Sequence, residues 1–364
     1  MKFRCERDAL VEGLSTTARI ATNKTGYQLV LSGVHVSLVD NELTLTATDR
    51  ELVIRVCLTV NGQNDGETVL PARLASDVLR SLNSGAVNVE LKEQIVKIDA
   101  SQCNFHLNTM NPADFPQINV LEGDPVVIKA DKFQAAIRQV VQAASSDESR
   151  PVLTGALMAA DENGLRLVTT DSYRLALCDL DDVQVLESGK SVLVPSRALQ
   201  EIIRLLENVE DINLWFSEKE AAFSIQNIMI ITRLIEGDFP SYQSLIPDHQ
   251  PNHLTLNREN FINAVRRIRL MASDSIPIRL NMSKNGLELS AGTEELGKAT
   301  EHIEAEFEGE ELTVAFNPEY LIDGAEAAPG KEIVLNTVDG LKPAVIRASE
   351  AKDYLYLLMP VRIN

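Results

Sequence analysis

Apolar residues return every three or four positions in six stretches of this 364-residue chain, and every second position in many of the stretches between. The first spacing predicts helices and the second strands. One helix family comprises PARLASDVLRSL (71–82), PSRALQEIIRLL (195–206) and NPEYLIDGAEAA (317–328). The other comprises RDALVEGLSTTARI (7–20), DKFQAAIRQVVQAA (131–144) and RENFINAVRRIRLM (258–271). In the first family Leu74, Val78, Leu79 and Leu82 are expected to face a core, as are Ala198, Ile202, Ile203 and Leu206. Arg73 and Arg80, then Arg197 and Arg204, stand seven residues apart, which is two turns, and share the opposite edge. Asp77 and Glu201 follow the first arginine of each pair by four positions and are placed to pair with it.

The landmarks recur at one interval. Successive members of the first helix family lie 124 and 122 residues apart, and TATDRELVI (46–54) and TTDSYRLAL (169–177) are 123 apart. LSAGTEELGKA (289–299) falls where a third copy would stand, and ADFP (113–116) matches GDFP (237–240). A shared period across several landmarks implies three copies of one domain. ELTLTATDRELVIRVCLTV, VNVELKEQIVKID and DINLWFSEKEAAFSIQ alternate with period two and are bounded by turns, as antiparallel strands do. Strands arrive in runs without a helix between them, which disfavours parallel winding. The expected class is α+β: three tandem domains, each with two helices packed on antiparallel sheets. Turn formers cluster at 119–125 and 246–253, so the expected domains are 1–122, 123–249 and 250–364.

Composition adds a compartment and a charge pattern. Cys5, Cys57, Cys103 and Cys178 are scattered without CxxC spacing and read as reduced thiols rather than disulfides or zinc ligands. The charged opening MKFRCERDAL is unlike a signal peptide, and no 18-residue apolar run is present, so a cytoplasmic protein with no membrane partner is expected. A formal net charge of −19 would ordinarily argue against nucleic acid. Its distribution argues otherwise: the six helical stretches carry +3 over 78 residues, leaving −22 on the other 286. An acidic exterior with a mildly basic helical face suits confinement of a polyanion to one surface.

Triplicated domains, the LPAR and VPSR helix openings, the DFP turns and the ending YLLMPVRI together resemble the bacterial β sliding clamps, the processivity subunits of DNA polymerase III. The resemblance covers essentially the whole chain. It implies a head-to-tail homodimer, a closed ring whose helices line a hole around double-stranded DNA, without sequence preference. It implies DNA contacts at Lys24, Arg73, Arg80, Arg138, Arg197, Arg204 and Arg266. The chain departs from a uniformly positive lining at Glu319 and Glu326, which stand where the first two copies have arginines, and at the Asp147–Glu148 loop.

The resemblance further implies a pocket for a short linear peptide carried by the replicative polymerase, the clamp loader, repair polymerases and mismatch-repair factors. By position it would contain Leu153, Thr170, Ser172, Tyr173, Arg174, Leu175, Pro240, Leu245, Leu357 and Met359. A neighbouring subsite would use Asn317, Tyr320, Pro360, Val361 and Arg362. Ser244 stands where some members have arginine. A dimer joint at Phe105, Leu107, Leu270 and Met271 is implied in the same way. No catalytic residue, cofactor or metal is expected. SGKS (188–191) lacks the P-loop glycine at Gln184, and Gln250–Pro251 interrupts the spacing of His249 and His253. The alternatives are a metal-dependent nuclease or an acidic interaction hub that does not bind DNA.

Overall fold

The structure is a computed structural model. It describes residues 1–364 except 22–25, 120, 122, 161, 273–275, 294, 296 and 363–364, and the side chains of 26–28 are likewise outside the description. Six α-helices are present among the described residues: α1 (Arg7–Ala18), α2 (Ala72–Ser81), α3 (Ala130–Val140), α4 (Ser196–Leu205), α5 (Arg258–Ile268) and α6 (Pro318–Ala327). Each lies within the stretch that the periodicity marks, except that α3 starts one residue earlier, at Ala130. In α5 and α6 the start is set by an asparagine, Asn257 accepting from the Asn260 N–H and Asn317 from the Glu319 N–H. Tightened 3-10 turns follow α3 and α5, at Val141–Ala143 and Arg269–Met271.

The order strand, helix, four strands, helix, three strands occurs three times, with the short strands Asn61–Asn64 and Glu306–Glu308 added. All strand pairings among the described residues are antiparallel. The hairpin tips repeat as well: Arg50 and Ser172 both have a φ of 84°, and Ser101 and Gln226 have φ of 49° and 54°. The predicted hairpins are formed by Glu42–Thr48 with Leu52–Thr59, Ala86–Lys92 with Ile95–Ala100, and Asp211–Phe216 with Glu220–Ile225.

Packing units do not follow the sequence copies. One compact unit holds residues 1–129 with 205–234, and the other 130–204 with 235–364. Continuous sheets are the reason. In the first unit the last strand of the second copy, Ile228–Arg233, pairs with Leu52–Thr59 and so joins the first copy's sheet to make eight strands. In the second unit the last strand of the third copy, Tyr354–Leu358, pairs with Arg174–Asp181 of the second copy in a nine-stranded sheet.

Helices pack on these sheets through closely fitted positions. Gly13 of α1 leaves room for Leu45, whose Cδ1 lies 2.8 Å from where a Cβ would sit. Gly324 of α6 does the same for the Tyr356 ring, 2.4 Å from its would-be Cβ, and its carbonyl accepts from the Tyr354 hydroxyl at 2.8 Å. In each copy a side chain at the start of the first helix caps the carbonyl end of the second. Arg7 donates to Leu79 and Arg80 carbonyls, Gln134 to Ile203, and Arg258 to Glu326 and Ala328.

Two expectations need correction. Leu74 is exposed rather than buried, because the core stripe of α2 runs through Ala72, Ala75, Val78 and Leu79 and position 74 falls on its flank. Arg73 and Asp77 form no ion pair among the described residues; both side chains are exposed, where such a pair gains little.

Candidate functional site: exposed helix arginines, the C-terminal strand and two sheet ends

Three surfaces concern the expected function. The first is the exposed edge of the helices. Arg73 and Arg80 of α2, Arg138 of α3, Arg197 and Arg204 of α4, and Arg266 of α5 are all exposed. Arg80 donates to the Ser15 hydroxyl at 2.9 Å, and Arg204 pairs with Glu201. Arg138 lines a cleft with Gln134, Arg258, Asp323 and Glu326. Lys24 lies outside the described residues. In the third copy the arginines of α5 and its following turn are matched by acids: Arg266 with Glu326, Arg269 with Glu319, Arg267 with Glu301. The Asp147 carboxyl, which accepts from the Ser149 hydroxyl and N–H and from Arg150, is held below its ordinary range by those bonds.

The second surface is built around the C-terminal strand. Leu175 faces Leu357 across the sheet, and both sink into a core with Val168, Leu177, Tyr242, Val345 and Leu355. Beyond the sheet the pairing continues, the Met359 N–H donating to the Tyr173 carbonyl at 2.9 Å. Tyr173 is 62% exposed, held outward by a turn in which Thr170 accepts from the Ser172 N–H and Asp171 accepts from the Tyr173 and Arg174 N–H groups. Leu245 follows Tyr242 in a 3-10 turn and is exposed, as are Met359 and Val361. Leu175 and Leu357 thus lie in one core beneath the exposed Tyr173 and Met359, and Leu245 joins it in sequence through the buried Tyr242. Pro240 and Ser172 are exposed nearby in sequence, whereas Leu153 is buried and no recorded side-chain contact ties it to the tail.

Arg174 has a different role from a rim contact. Its side chain is 12% exposed, pairs with Asp171 and Asp323, and lies 4.4 Å over the Tyr320 ring. Burial opposes its charge, but Tyr356 and Asp323 outweigh burial and its pKa is raised. Burial raises the pKa of the Tyr354 and Tyr356 hydroxyls. Asn317 is used as the α6 cap, and the Val361 N–H donates to the Ala315 carbonyl two residues before that cap. Pro360 is half-buried and Arg362 exposed. Sequence reading missed Leu341, a leucine 72% exposed in a turn whose Gly340 would place a Cβ 3.2 Å from the Thr313 carbonyl oxygen. Its signal was a lone apolar residue among turn formers in DGLKP.

The third surface is a pair of sheet ends. The five-stranded sheet of the first unit ends at Cys103–Asn108, and the four-stranded sheet of the second ends at Gly297–Ile303. Phe105 and Leu107 alternate on the first of these strands, Phe105 half-buried and Leu107 buried. Met271 lies against the second strand, its Cε 3.7 Å from the would-be Cβ of Gly297, and its neighbour Leu270 is 83% exposed. Unpaired edges invite another strand.

No group of three or more His, Cys, Asp or Glu side chains converges to hold a metal among the described residues, so nothing there favours the nuclease alternative. No described helix is long and apolar enough to cross a membrane.

Comparison with known proteins agrees in three consecutive segments. Profiles for the N-terminal, central and C-terminal domains of the DNA polymerase III beta subunit match residues 1–119, 127–241 and 243–362. The chain is 28% identical over 379 residues to the beta sliding clamp of Bacillus subtilis, covering all of both proteins. It is 29% identical over 376 residues to that of Streptomyces coelicolor, again end to end. A crystal structure of the B. subtilis DNA polymerase sliding clamp superposes with a TM-score of 0.93 at 27% identity, covering both chains fully. A sliding clamp from Bartonella birtlesii bound to griselimycin superposes at 0.94 with 28% identity and the same coverage. The chain belongs to the DNA polymerase III beta subunit family, the beta sliding clamps.

Proposed function

We propose that two copies of this chain close head to tail into a ring around double-stranded DNA and tether a polymerase to it. The observation that carries this reading is the pattern of strand pairing between copies. The last strand of copy two pairs with the third strand of copy one's four, and the last strand of copy three pairs with the third strand of copy two. The same rule leaves two strands unused: the last of copy one, Cys103–Asn108, and the third of copy three, Gly297–Ile303. A second protomer related by a two-fold axis satisfies both of these edges with two identical joints.

The repeat also supplies a register. Ile228 faces Val56, and Cys103 holds the place of Ile228 at the start of its strand, one pair beyond a left-handed turn in both copies. Leu58, Leu180 and Ile303 are equivalent, closing their hairpins opposite Leu43, Leu165 and Leu287. Two residues earlier lie Val56, Cys178 and Glu301. Cys103 therefore faces the partner subunit's Glu301, Phe105 faces the partner subunit's Ala299, and Leu107 faces the partner subunit's Gly297. That register sets Leu107 beside the partner's Met271, two of the four interface residues expected from the resemblance.

Exposed arginines on the helices act on phosphates, which carry no sequence information, so contact is compatible with sliding. DNA held by enclosure needs only weak contacts. The apolar surface around Leu175, Leu357, Leu245 and Met359 receives a short peptide from the replicative polymerase, clamp loader, repair polymerases or mismatch-repair factors, with apolar anchors supplying most of the energy. No reaction is assigned to the chain: it works as a non-catalytic cytoplasmic subunit, organised as clamp domains at 1–122, 123–249 and 250–364. Retention on nicked circular DNA after loading, with release when the circle is cut, tests the enclosure. Equal retention on both forms would overturn it.

A further inference from the structure

The third copy's helix pair is electrically cancelled. Residues 258–271 carry +3 and residues 317–328 carry −3. In copies one and two, the helix corresponding to α6 bears arginines at two-turn spacing, Arg73 with Arg80 and Arg197 with Arg204; α6 bears Glu319 and Glu326 at the same spacing. Arg258 at the start of α5 reaches the carbonyl end of α6, and Arg269 past its other end reaches Glu319 at the α6 start, so the helices are antiparallel. That arrangement aims the acids at their neighbours: Glu326 takes Arg266 and Glu319 takes Arg269.

Resting on the clamp reading above, we propose that Glu319 and Glu326 act as built-in stand-ins for phosphate, occupying Arg266 and Arg269 so that the third copy grips duplex DNA weakly. A carboxylate presents a guanidinium with the same planar pair of acceptors that a phosphate does. The four side chains keep 44–55% of their surface exposed. Ion pairs this exposed contribute little to stability. Their consequence is electrostatic: a phosphate approaching either arginine meets a neutral pair instead of a cation. The contrast is sharpest with copy one, where, among the described residues, Arg73 makes no ion pair and the Arg80 side chain donates to the neutral Ser15 hydroxyl, whereas Arg204 of copy two pairs with Glu201.

The test uses the full-length protein, a short linear duplex and fluorescence anisotropy between 25 and 200 mM NaCl. Glu319→Gln with Glu326→Gln keeps side-chain size and removes both acids. Each further phosphate neutralised steepens the log–log salt slope by about 0.9, so freeing two arginines widens the affinity difference between those salt limits by about 40-fold. Adding Arg266→Gln and Arg269→Gln should return the slope to the parental value. Arg73→Gln with Arg197→Gln is the control on the clamp reading and should flatten the slope. An unchanged slope in the Glu variant with a flattened one in the control overturns the masking while the reading stands. A steepened slope that survives loss of Arg266 and Arg269 also overturns it, because simple repulsion then accounts for the effect. If the Arg73 control is without effect, the helical DNA face fails and this inference falls with it.

Discussion

Replacing Leu270 by Asp is expected to open the ring without unfolding the protomer. Leu270 is 83% exposed in the isolated chain, so nearly its whole side chain remains available for burial at a joint. Burying a leucine contributes about 1.5–3 kcal/mol. A two-fold ring has two joints, so the substitution removes about 3–6 kcal/mol from closure before the cost of desolvating a carboxylate. That corresponds to a dimer dissociation constant weakened about 10²–10⁴-fold. Met271 is partly covered by its own Gly297 strand, so its contribution is smaller and the Leu270 change alone suffices. Sedimentation velocity across a concentration series reads the dissociation constant, and circular dichroism melting checks that the monomer keeps its fold. An unchanged dissociation constant in a folded variant would refute the joint.

Three other outcomes follow from the same geometry. Arg174→Ala strands Asp171 and Asp323 and unstacks Tyr320; urea unfolding should show a loss of about 2–3 kcal/mol, below that of a fully buried pair because Asp323 keeps part of its exposure. Arg174→Lys should recover only part, since a lysine lacks the planar fork, and full recovery would count against the stacked bridge. Arg73→Gln and Arg197→Gln should each flatten the salt slope of DNA contact by about 0.9 and do so equally on all sequences; a base-dependent loss would contradict a phosphate role. Burial pushes the Cys5 and Cys178 thiols up to about 12, whereas Cys103 is exposed. A thiol reagent at pH 8 should therefore spare Cys5 and Cys178, and should label Cys103 much faster in the Leu270→Asp monomer than in the dimer.

The helices were legible in the sequence because a 3.6-residue period is a local signal, whereas the asparagine caps of α5 and α6 emerged only from the structure. The threefold repeat was legible because hairpin turns and DFP segments recur in register. Sheet continuity was not legible. Strand Ile228–Arg233 finds its partner at Leu52–Thr59, far back in the chain, and period-two alternation says only that a strand exists, not which strand it meets. Leu74 failed for a related reason: helical period fixes a face only to within about one residue's rotation, and tertiary packing chose Ala75 over Leu74. The acids of α6 were visible as departures, but their pairing with Arg266 and Arg269 required the antiparallel packing of two helices separated by the strands between them. Arg174 was placed at the pocket by position; its burial between two aspartates and a tyrosine emerged only when copies two and three shared one sheet. Leu341 escaped notice because an isolated apolar residue in a turn carries no period.

The most direct test joins the repeat-derived register to the enclosure of DNA. Cys103 is native and exposed, and directly opposed strand residues have Cα separations of about 4.5–5.5 Å, within reach of a disulfide. In a Glu301→Cys variant, mild oxidation should link each Cys103 to the partner subunit's new thiol and lock both joints. Loaded on nicked circular DNA and oxidised, the protein should remain on the circle through denaturing detergent, and cutting the DNA or reducing the disulfides should release it. Failure to form the covalent dimer would contradict the register, and loss from the intact circle despite both links would contradict enclosure.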